Sequence, residues 1–462
     1  MPGIFQSLDI ARRAIYANRL GLDVASHNIA NVNTPGYTRQ RANLKAALPL
    51  NIIQGQLGMG VTVESVTRAR NQLLDFQFRR ANVSLGDSEA RTMVLRQLET
   101  VINEPSDGGI ASLMNGFFAE FSNLASDPEN TALRNTLVQK TETLVAAFHD
   151  KNTQILEIQS GIRKDTQNSV NQVNELTRRI ADLNKKIDGN SGLLGGSNDL
   201  KDQRDQLLDK LSKLVDIRYS ENRNGNLSVS ANGINLVSGN TFNELSVKTA
   251  GAGNGLSLTV TNKAGDAVNI KGGKIGALLK LHNKTLPDIK NKLDNLAKNF
   301  VDEVNRLHRT GKTLPTGNPP TSATNIDFFV GTDSASIDIA APIRDNVSNI
   351  AASKDGAVGN GDVAVSIANL RNRKVFEQGT QTLSDYYTNI INNVGTQIET
   401  AKNENSSQEQ VVNQIQNQRD SESGVSLDEE MTNLIKFQRS LEASARVVRV
   451  VDDVLNTVIN MV

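Results

Sequence analysis

The residues able to do acid–base, nucleophilic or metal chemistry are few and scattered in this 462-residue chain. It has no cysteine, which excludes a thiolate nucleophile, a disulfide framework and a Cys-ligated zinc or iron–sulfur site. The four histidines, His27, His149, His282 and His308, lie far apart in sequence. Only the last two could share a helix, at a separation well beyond metal-ligand spacing, so all four read as exposed or capping side chains. Gly311-Lys312-Thr313 imitates the end of a phosphate-binding loop, but position 306, where that loop's first glycine belongs, is Arg. Gly251, Gly253 and Gly255 precede a strand pattern instead of opening a helix, the wrong setting for a dinucleotide fingerprint. No Gly-x-Ser-x-Gly elbow, His-Glu-x-x-His helix or EF-hand spacing occurs. Asp199, Asp202 and Asp205 recur at i, i+3 and read as the solvated face of a charged helix, although folding could still assemble a carboxylate pair. The expectation is a protein without catalytic residues, cofactor or metal.

Composition narrows the remaining classes. Fifty Lys and Arg balance fifty Asp and Glu, so the basic surplus needed to displace phosphate counterions is missing and nucleic acid is not an expected partner. Tryptophan is absent, and the aromatics amount to 13 Phe and 5 Tyr. No stretch approaches the apolar length of a membrane span; even Val447 to Val462 is interrupted by Arg449, Asp452 and Asp453. The start, from Met1 to Asp9, lacks a basic region followed by an apolar run, so no cleaved signal peptide is expected. At this length the chain should fold as two to four units.

The elements are mainly helical. Leu8, Ala11, Ile15, Leu22, Ala25 and Ile29 form one apolar seam with Asn18 as a polar gap. That helix should stop within Asn28 to Tyr37, because Pro35 disfavours helical geometry at Thr34 and Pro35-Gly36 suits the centre of a type II turn. At the other end Leu427, Leu434, Leu441, Val448, Leu455 and Val462 fall seven apart, with Met431, Ala445 and Ile459 at alternate seam positions and Gln438 and Asp452 as gaps. Ser426 and Glu429 have capping-box spacing. Ile155 to Ile187 and Leu200 to Leu214 predict an antiparallel helical hairpin across a Gly-rich loop. Period-two alternation at Leu227 to Ser230 and Leu256 to Thr261 predicts short strands from about 216 to 273. Helix returns over Lys274 to His308, a second irregular or β segment spans Thr310 to about Val365, and helix resumes with breaks near Gly379 and Ser421 to Gly424.

The expected fold class is therefore mainly α with inserted β: terminal coiled-coil helices, an elongated helical bundle and small β domains. The expected divisions are 1–40 with 425–462 as terminal assembly segments, 41–218 with 274–309 and 366–424 as the helical core, and 219–273 and 310–365 as β-rich surface insertions. Residues 1–80 carry ten Lys and Arg against four Asp and Glu, and residues 397–462 six against eleven, which favours pairing of the two ends. Periodicity leaves open whether the terminal seams merely complete a helical domain or mediate assembly with other subunits.

Asn28-Ile29-Ala30-Asn31-Val32-Asn33-Thr34-Pro35-Gly36-Tyr37 followed by Thr38-Arg39-Gln40 resembles the signature of bacterial flagellar rod, hook and hook-associated proteins. The Pro-Gly-Tyr-Thr-Arg-Gln ending is most similar to the hook-associated protein 1 branch. Further similar blocks follow in order: Gly58-Met59-Gly60-Val61 with Arg68, Gln77 and Arg79; Phe117-Phe118 through Asp127-Pro128 to Leu133-Arg134; Ile180 to Asn184; Asp199 to Asp205; Leu286-Pro287 with Leu293 to Ala297; and Ser423 to Glu430. The resemblance implies a structural protein of the hook–filament junction, exported by the flagellar type III apparatus without a cleaved signal. It implies terminal helices that are disordered before assembly and then pack into inner tubular layers. Signature residues Asn28, Asn31, Thr34, Pro35, Gly36 and Tyr37 would form the turn that ends the first of them. Implied partners are identical subunits in a ring, hook protein, hook-associated protein 3 on the filament side, and an export chaperone on Leu427 to Val462. The alternatives are a hook or distal rod protein, or an exported wall-cleaving enzyme with its catalytic acid in the β insertions.

Overall fold

The computed structural model describes every residue except 1, 53–54, 103–107, 191–194, 223–224, 252–256, 317–320, 377–378 and 461–462. The expected seam residue Val462 and the glycines Gly253 and Gly255 therefore lie outside the described residues. The chain opens with α1 (Pro2–Ala30) and a long β arm, in which β1 (Gln40–Ala46) pairs antiparallel with β4 (Val61–Arg68) and β2 (Leu50–Ile52) pairs with β3 (Gly55–Leu57). Next come α2 (Gln72–Ile102), α3 (Ile110–Ser126), α4 (Thr131–Gly189) and α5 (Asn198–Leu214). Strands β5 (Ile217–Glu221), β6 (Leu227–Ala231), β7 (Ile234–Ser238) and β8 (Thr241–Phe242) form an antiparallel meander. A three-stranded sheet is ordered β11 (Ala267–Val268), β10 (Ser257–Asn262), β9 (Leu245–Ala250). Then α6 (Gly273–Lys280) runs through one π-helical turn into α7 (Leu286–His308). The two-residue strands β12 (Phe329–Val330) and β13 (Asp338–Ile339), short helices α8 (Ala341–Asp345) and α9 (Asp362–Ala368), and long helices α10 (Leu383–Ser423) and α11 (Leu427–Ile459) complete the chain. The architecture is mainly α with small inserted antiparallel sheets, as expected.

Two apolar cores hold it together, and α4 belongs to both. Its first half, through Leu137, Leu144, Phe148, Ile155 and Ile162, packs with α2, α3, α7, α9 and the start of α10. Its second half, through Val170, Val173, Ile180 and Leu183, packs with α5 and the strands. The predicted hairpin of α4 and α5 is present, although α5 is only 17 residues against the 59 of α4. The scarce aromatics are concentrated: Phe117, Phe118, Phe121, Phe300, Phe328 and Phe329 meet edge-on or tilted at centroid distances of 4.9 to 5.9 Å, near the preferred range for such pairs.

The strands are fastened to the helices by asparagines, of which Asn184 and Asn305 are buried. Asn174 accepts from Leu245 N and donates to Leu245 O, both at 2.8 Å. Asn283, in the π turn, does the same to Leu258. Asn184 donates to Leu227 O and Gly239 O and accepts from Leu227 N, and Asn305 links to Phe328 and Phe329 in the same manner. A carboxamide carries donor and acceptor side by side, so each supplies the partner that a neighbouring strand would otherwise provide.

The segment 310–365 differs from the expected surface insertion. Its Phe328, Phe329, Ile337, Ile339, Ile343 and Ile350 are buried in the first core, and its described residues contain only two strands of two residues each. Its apolar residues come in isolated pairs that follow neither a helical nor a strand period, so burial left no periodic trace. The stretch from 41 to 68, expected within the helical core, carries the strands β1 to β4 and no helix among its described residues. Two histidines also differ: His282 and His308 are buried. His308 Nδ1 donates to Ile326 O (2.7 Å) and its Nε2 accepts from Ala351 N (2.8 Å), which fixes a neutral tautomer and ties two points of the segment to α7. Nearby Arg134, also buried, donates to the carbonyls of Pro128, Val347 and Ile350. Burial depresses the His308 pKa to about 4, with a smaller push from the Arg134 cation against opposite contributions from Ile326 O and Asp327.

From the ordinary histidine value of 6.5 down to about 4, the unfolded chain takes up a proton that the folded chain does not. Stability from this site is complete above the upper limit and falls with pH through the window, by on the order of 3 kcal/mol in total. His308→Gln should flatten that dependence. Thermal denaturation of both proteins at pH 7 and pH 5 checks it, and parallel pH dependences would exclude His308 as the source.

Candidate assembly site

α1 and α11 lie side by side and antiparallel. Gly21 sits under the ring of Phe437, and seven residues further along α1, Asn28 meets Glu430, seven residues back along α11. The centre of the contact on α1 is small: Ala17, Gly21, Val24, Ala25 and Asn28 are buried. Of the expected seam, Ala11 and Ala25 are buried, while Leu8, Ile15, Leu22 and Ile29 are half-buried along its flank. On α11 the predicted Leu434, Leu441, Val448 and Leu455 are half-buried. The alternate positions are corrected, however, to Glu430, Phe437, Ser444, Val451 and Val458, each three residues after a predicted one in the heptad. Leu427, Met431 and Ile459 are exposed and Ala445 is half-buried. The predicted row lies one position away around the helix, because Met431, Ala445 and Ile459 follow the same seven-residue repeat as Glu430, Ser444 and Val458. Exposed Ile435, Val447, Val450 and Val454 on α11, with Phe5 and Tyr16 on α1, add to an apolar surface of the kind that marks interaction sites.

The turn that leaves α1 has the predicted geometry. Tyr37 N donates to Thr34 O, with Pro35 and Gly36 between them, and Gly36 has φ +74°. A side chain there would also collide with Gln206, which donates to Pro35 O at 2.7 Å. Asn31 donates to His27 O and accepts from Thr34 Oγ1, closing the helix end. Asn28 is fully buried and uses all of its bonding capacity. Its Nδ2 donates to Gln40 O (2.9 Å) and Glu430 Oε2 (3.0 Å), and its Oδ1 accepts from Tyr37 Oη (2.8 Å) and Gln40 N (2.9 Å). Burial, and then the negative charges of Asp199, Asp202 and Glu430, push the Tyr37 phenol well above its ordinary range, so it remains a donor.

Beyond the turn lies a knot of ion pairs. Arg39 binds Glu430 (2.6 Å) and Glu429 (2.6 Å) of α11. The Ser426 side chain consequently makes no cap bond, and Glu429, expected in a capping box, serves Arg39 instead. Thr38 donates its N–H and Oγ1–H to Asp202, and Gln40 donates to Asp199. Arg68 binds Asp202 (2.7 Å) and Asp205 (2.8 Å). Arg70 binds Asp75 (2.6 Å) and Asp205 (3.3 Å), Arg79 binds Asp205 (3.0 Å) and Asp209 (2.7 Å), and Arg419 of α10 binds Asp75 (3.1 Å) and Asp209 (3.0 Å). Arg419 also stacks over Phe78. Burial alone would raise the Asp205 carboxyl, but Arg70, Arg68 and Arg79 hold it down to about 2. At Asp202 burial prevails over Arg68 and Thr38, and its pKa is raised.

The aspartates expected to be a solvated helix face are thus the centre of the knot, with Asp202 and Asp205 buried. The sequence reading missed this role for Arg39, Arg68, Arg70, Arg79, Arg419 and Glu430; the available signal was the excess of basic residues in the first eighty. The arrangement joins the terminal helix pair to α2, α5 and α10 and has the chemistry of a joint. Among the described residues, no group of three or more His, Asp or Glu is placed to hold a metal, and no helix is long and apolar enough to cross a membrane.

Comparisons with known proteins agree with this division. A family model described as the flagellar hook-associated protein FlgK helical domain matches residues 95–329, which span most of both cores. Models for a flagella basal body rod protein and for the flagellar basal body rod FlgEFG protein C-terminal match residues 8–38 and 416–461, the two segments that meet in the helix pair. Flagellar hook-associated protein 1 of Bacillus subtilis (strain 168) is 32% identical over 509 aligned residues, covering 100% of this chain and 99% of the relative. The Escherichia coli (strain K12) protein of the same name is 25% identical and covers 98% of both chains. The solved hook junction protein FlgK from Burkholderia pseudomallei superposes with a TM-score of 0.64 at 18% identity, over 76% of this chain and 100% of that one, which supports the fold.

Proposed function

The chain belongs to the flagellar hook-associated protein 1 family, and from that premise we infer how it serves as a structural component of the bacterial flagellum at the junction between hook and filament. The supporting observation is the terminal helix pair, locked together by Asn28, Arg39 and Glu430 and tied to the body through Thr38 and Gln40, while an apolar surface remains exposed around it. In the proposed mechanism identical subunits form a ring through these helices. Residues Leu8, Ala11, Ile15, Leu22, Ala25 and Ile29 support the N-terminal helix, and Leu427, Met431, Leu434, Leu441, Val448, Leu455 and Val462 belong to the C-terminal assembly surface. One side of the ring contacts hook protein and the other contacts hook-associated protein 3 and the filament. The same C-terminal helix offers its surface to an export chaperone beforehand, and export proceeds through the flagellar type III apparatus without a cleaved signal. The work is mechanical and requires no turnover.

Electron microscopy of cells lacking this protein tests the reading. Bare hooks without filaments are expected. Missing hooks would overturn it in favour of a hook or distal rod protein.

A further inference from the structure

Leu434, Leu441, Val448 and Leu455 recur every seven residues along α11, so the aliphatic seam by itself would accept α11 displaced by one heptad, about 10 Å along α1. Two local features break that repeat. Gly21 leaves room for Phe437: a Cβ added at Gly21 would lie 2.6 Å from the ring. Asn28, without solvent exposure, donates its fourth bond to Glu430, whose other oxygen is held by Arg39.

The geometry points to a pair of register keys: Asn28 with Glu430, which displacement in either direction separates, and Gly21 with Phe437, which adds a clash in one direction. If Leu441 and Val448 moved to the places of Leu434 and Leu441, Phe437 would cover Asn28. The amide would lose Glu430 and bury an unpaired donor. With the opposite displacement Phe437 faces Ala14, seven residues before Gly21, whose methyl group occupies the volume that the glycine leaves open. A buried asparagine setting helix register at some expense of stability is a known use of polar residues in apolar seams. The consequence for assembly rests on the junction reading, because register sets where Met431 and Ile435 stand relative to Phe5 and Tyr16. The register itself is measurable without it.

The chain has no cysteine, so introduced pairs report without background. Counting from Gly21 and Phe437, Ala17→Cys with Leu441→Cys samples the native register, and Ala17→Cys with Val448→Cys samples the first displaced one. In purified full-length protein under mild oxidation, the first pair should cross-link and the second should not. Adding Asn28→Leu should raise the second product by about tenfold or more, the change expected from one lost charge-assisted hydrogen bond. An unchanged yield would overturn the role of Asn28. Phe437→Leu tests the other key in the Asn28→Leu background, because displacement in this direction also separates Asn28 from Glu430. It should raise cross-linking of Ala17→Cys with Leu434→Cys, and an unchanged yield overturns that half. Failure of the native pair to cross-link at all would overturn the antiparallel pairing. The read-out is a disulfide in purified protein, so its failure is distinguishable from a failure of the junction reading, which would appear as missing hooks.

Discussion

Deletion of residues 427–462 is expected to abolish filament attachment while leaving the rest of the chain folded. Neither apolar core contains a residue of α1 or α11, so the truncated protein retains both. It loses the cover over Ala17, Gly21 and Val24, and Arg39 loses both of its carboxylate partners. A helix such as α1, stripped of the surface against which its apolar stripe is buried, has little reason to persist in water. Circular dichroism should record the loss of the two terminal helices, and thermal denaturation should show the core transition close to that of the full chain. Cells carrying the truncation should bear hooks and shed filament subunits into the medium. Filaments of normal number and length on such cells would contradict the assembly role of α11, and a collapsed core transition would contradict the independence of the middle.

Asp205→Ala should produce the largest loss of stability among single substitutions in the knot. The carboxylate lies between Arg68, Arg70 and Arg79, whose side chains are 14%, 11% and 5% exposed. Removing it leaves three guanidinium groups facing one another in a poorly solvated space, and breaking a buried pair in this way costs about 3–5 kcal/mol. Glu175→Ala, which breaks the half-exposed pair with Arg178, is the contrast and should cost no more than about 0.5 kcal/mol. Urea denaturation of the two variants checks the difference; equal midpoints would mean that the knot is as well solvated as the surface. The Asp205 contribution is complete above the ordinary carboxylate value of 3.8 and is lost as pH falls toward 2.

The helices were legible wherever one face repeated. α5, α7 and the part of α4 from Ile155 onward appear where apolar periodicity predicts them, α10 lies between the predicted breaks near Gly379 and Ser421 to Gly424, and the Pro35-Gly36 turn follows from the conformational limits of those two residues alone. The seams of α1 and α11 were legible as helices but not in their precise facing. Burial between two close helices falls on Ala17, Gly21 and Ser444, which carry no hydrophobic signal. The knot was not legible by spacing, because Asp202 and Asp205 have the same i, i+3 pattern whether they face water or three arginines. Their partners arrive from segments more than a hundred positions away, such as Arg68 and Arg79, or more than two hundred for Arg419 with Asp209. The same distance hid the burial of 310–365: Phe328 and Ile350 are recognisable as core only once α3 and α4 lie beside them.

The 59-residue helix α4, about 88 Å long at 1.5 Å per residue, bears on how the chain carries a mechanical load. Both cores are built on that one rod, so a twisting load entering one of them passes to the other along continuous backbone hydrogen bonds and crosses no linker. The terminal pair meets that body through the two short crossings at 31–39 and 424–426, which the arginine–carboxylate knot ties to α2, α5 and α10, so a load on the pair reaches the second core through ion pairs to α5.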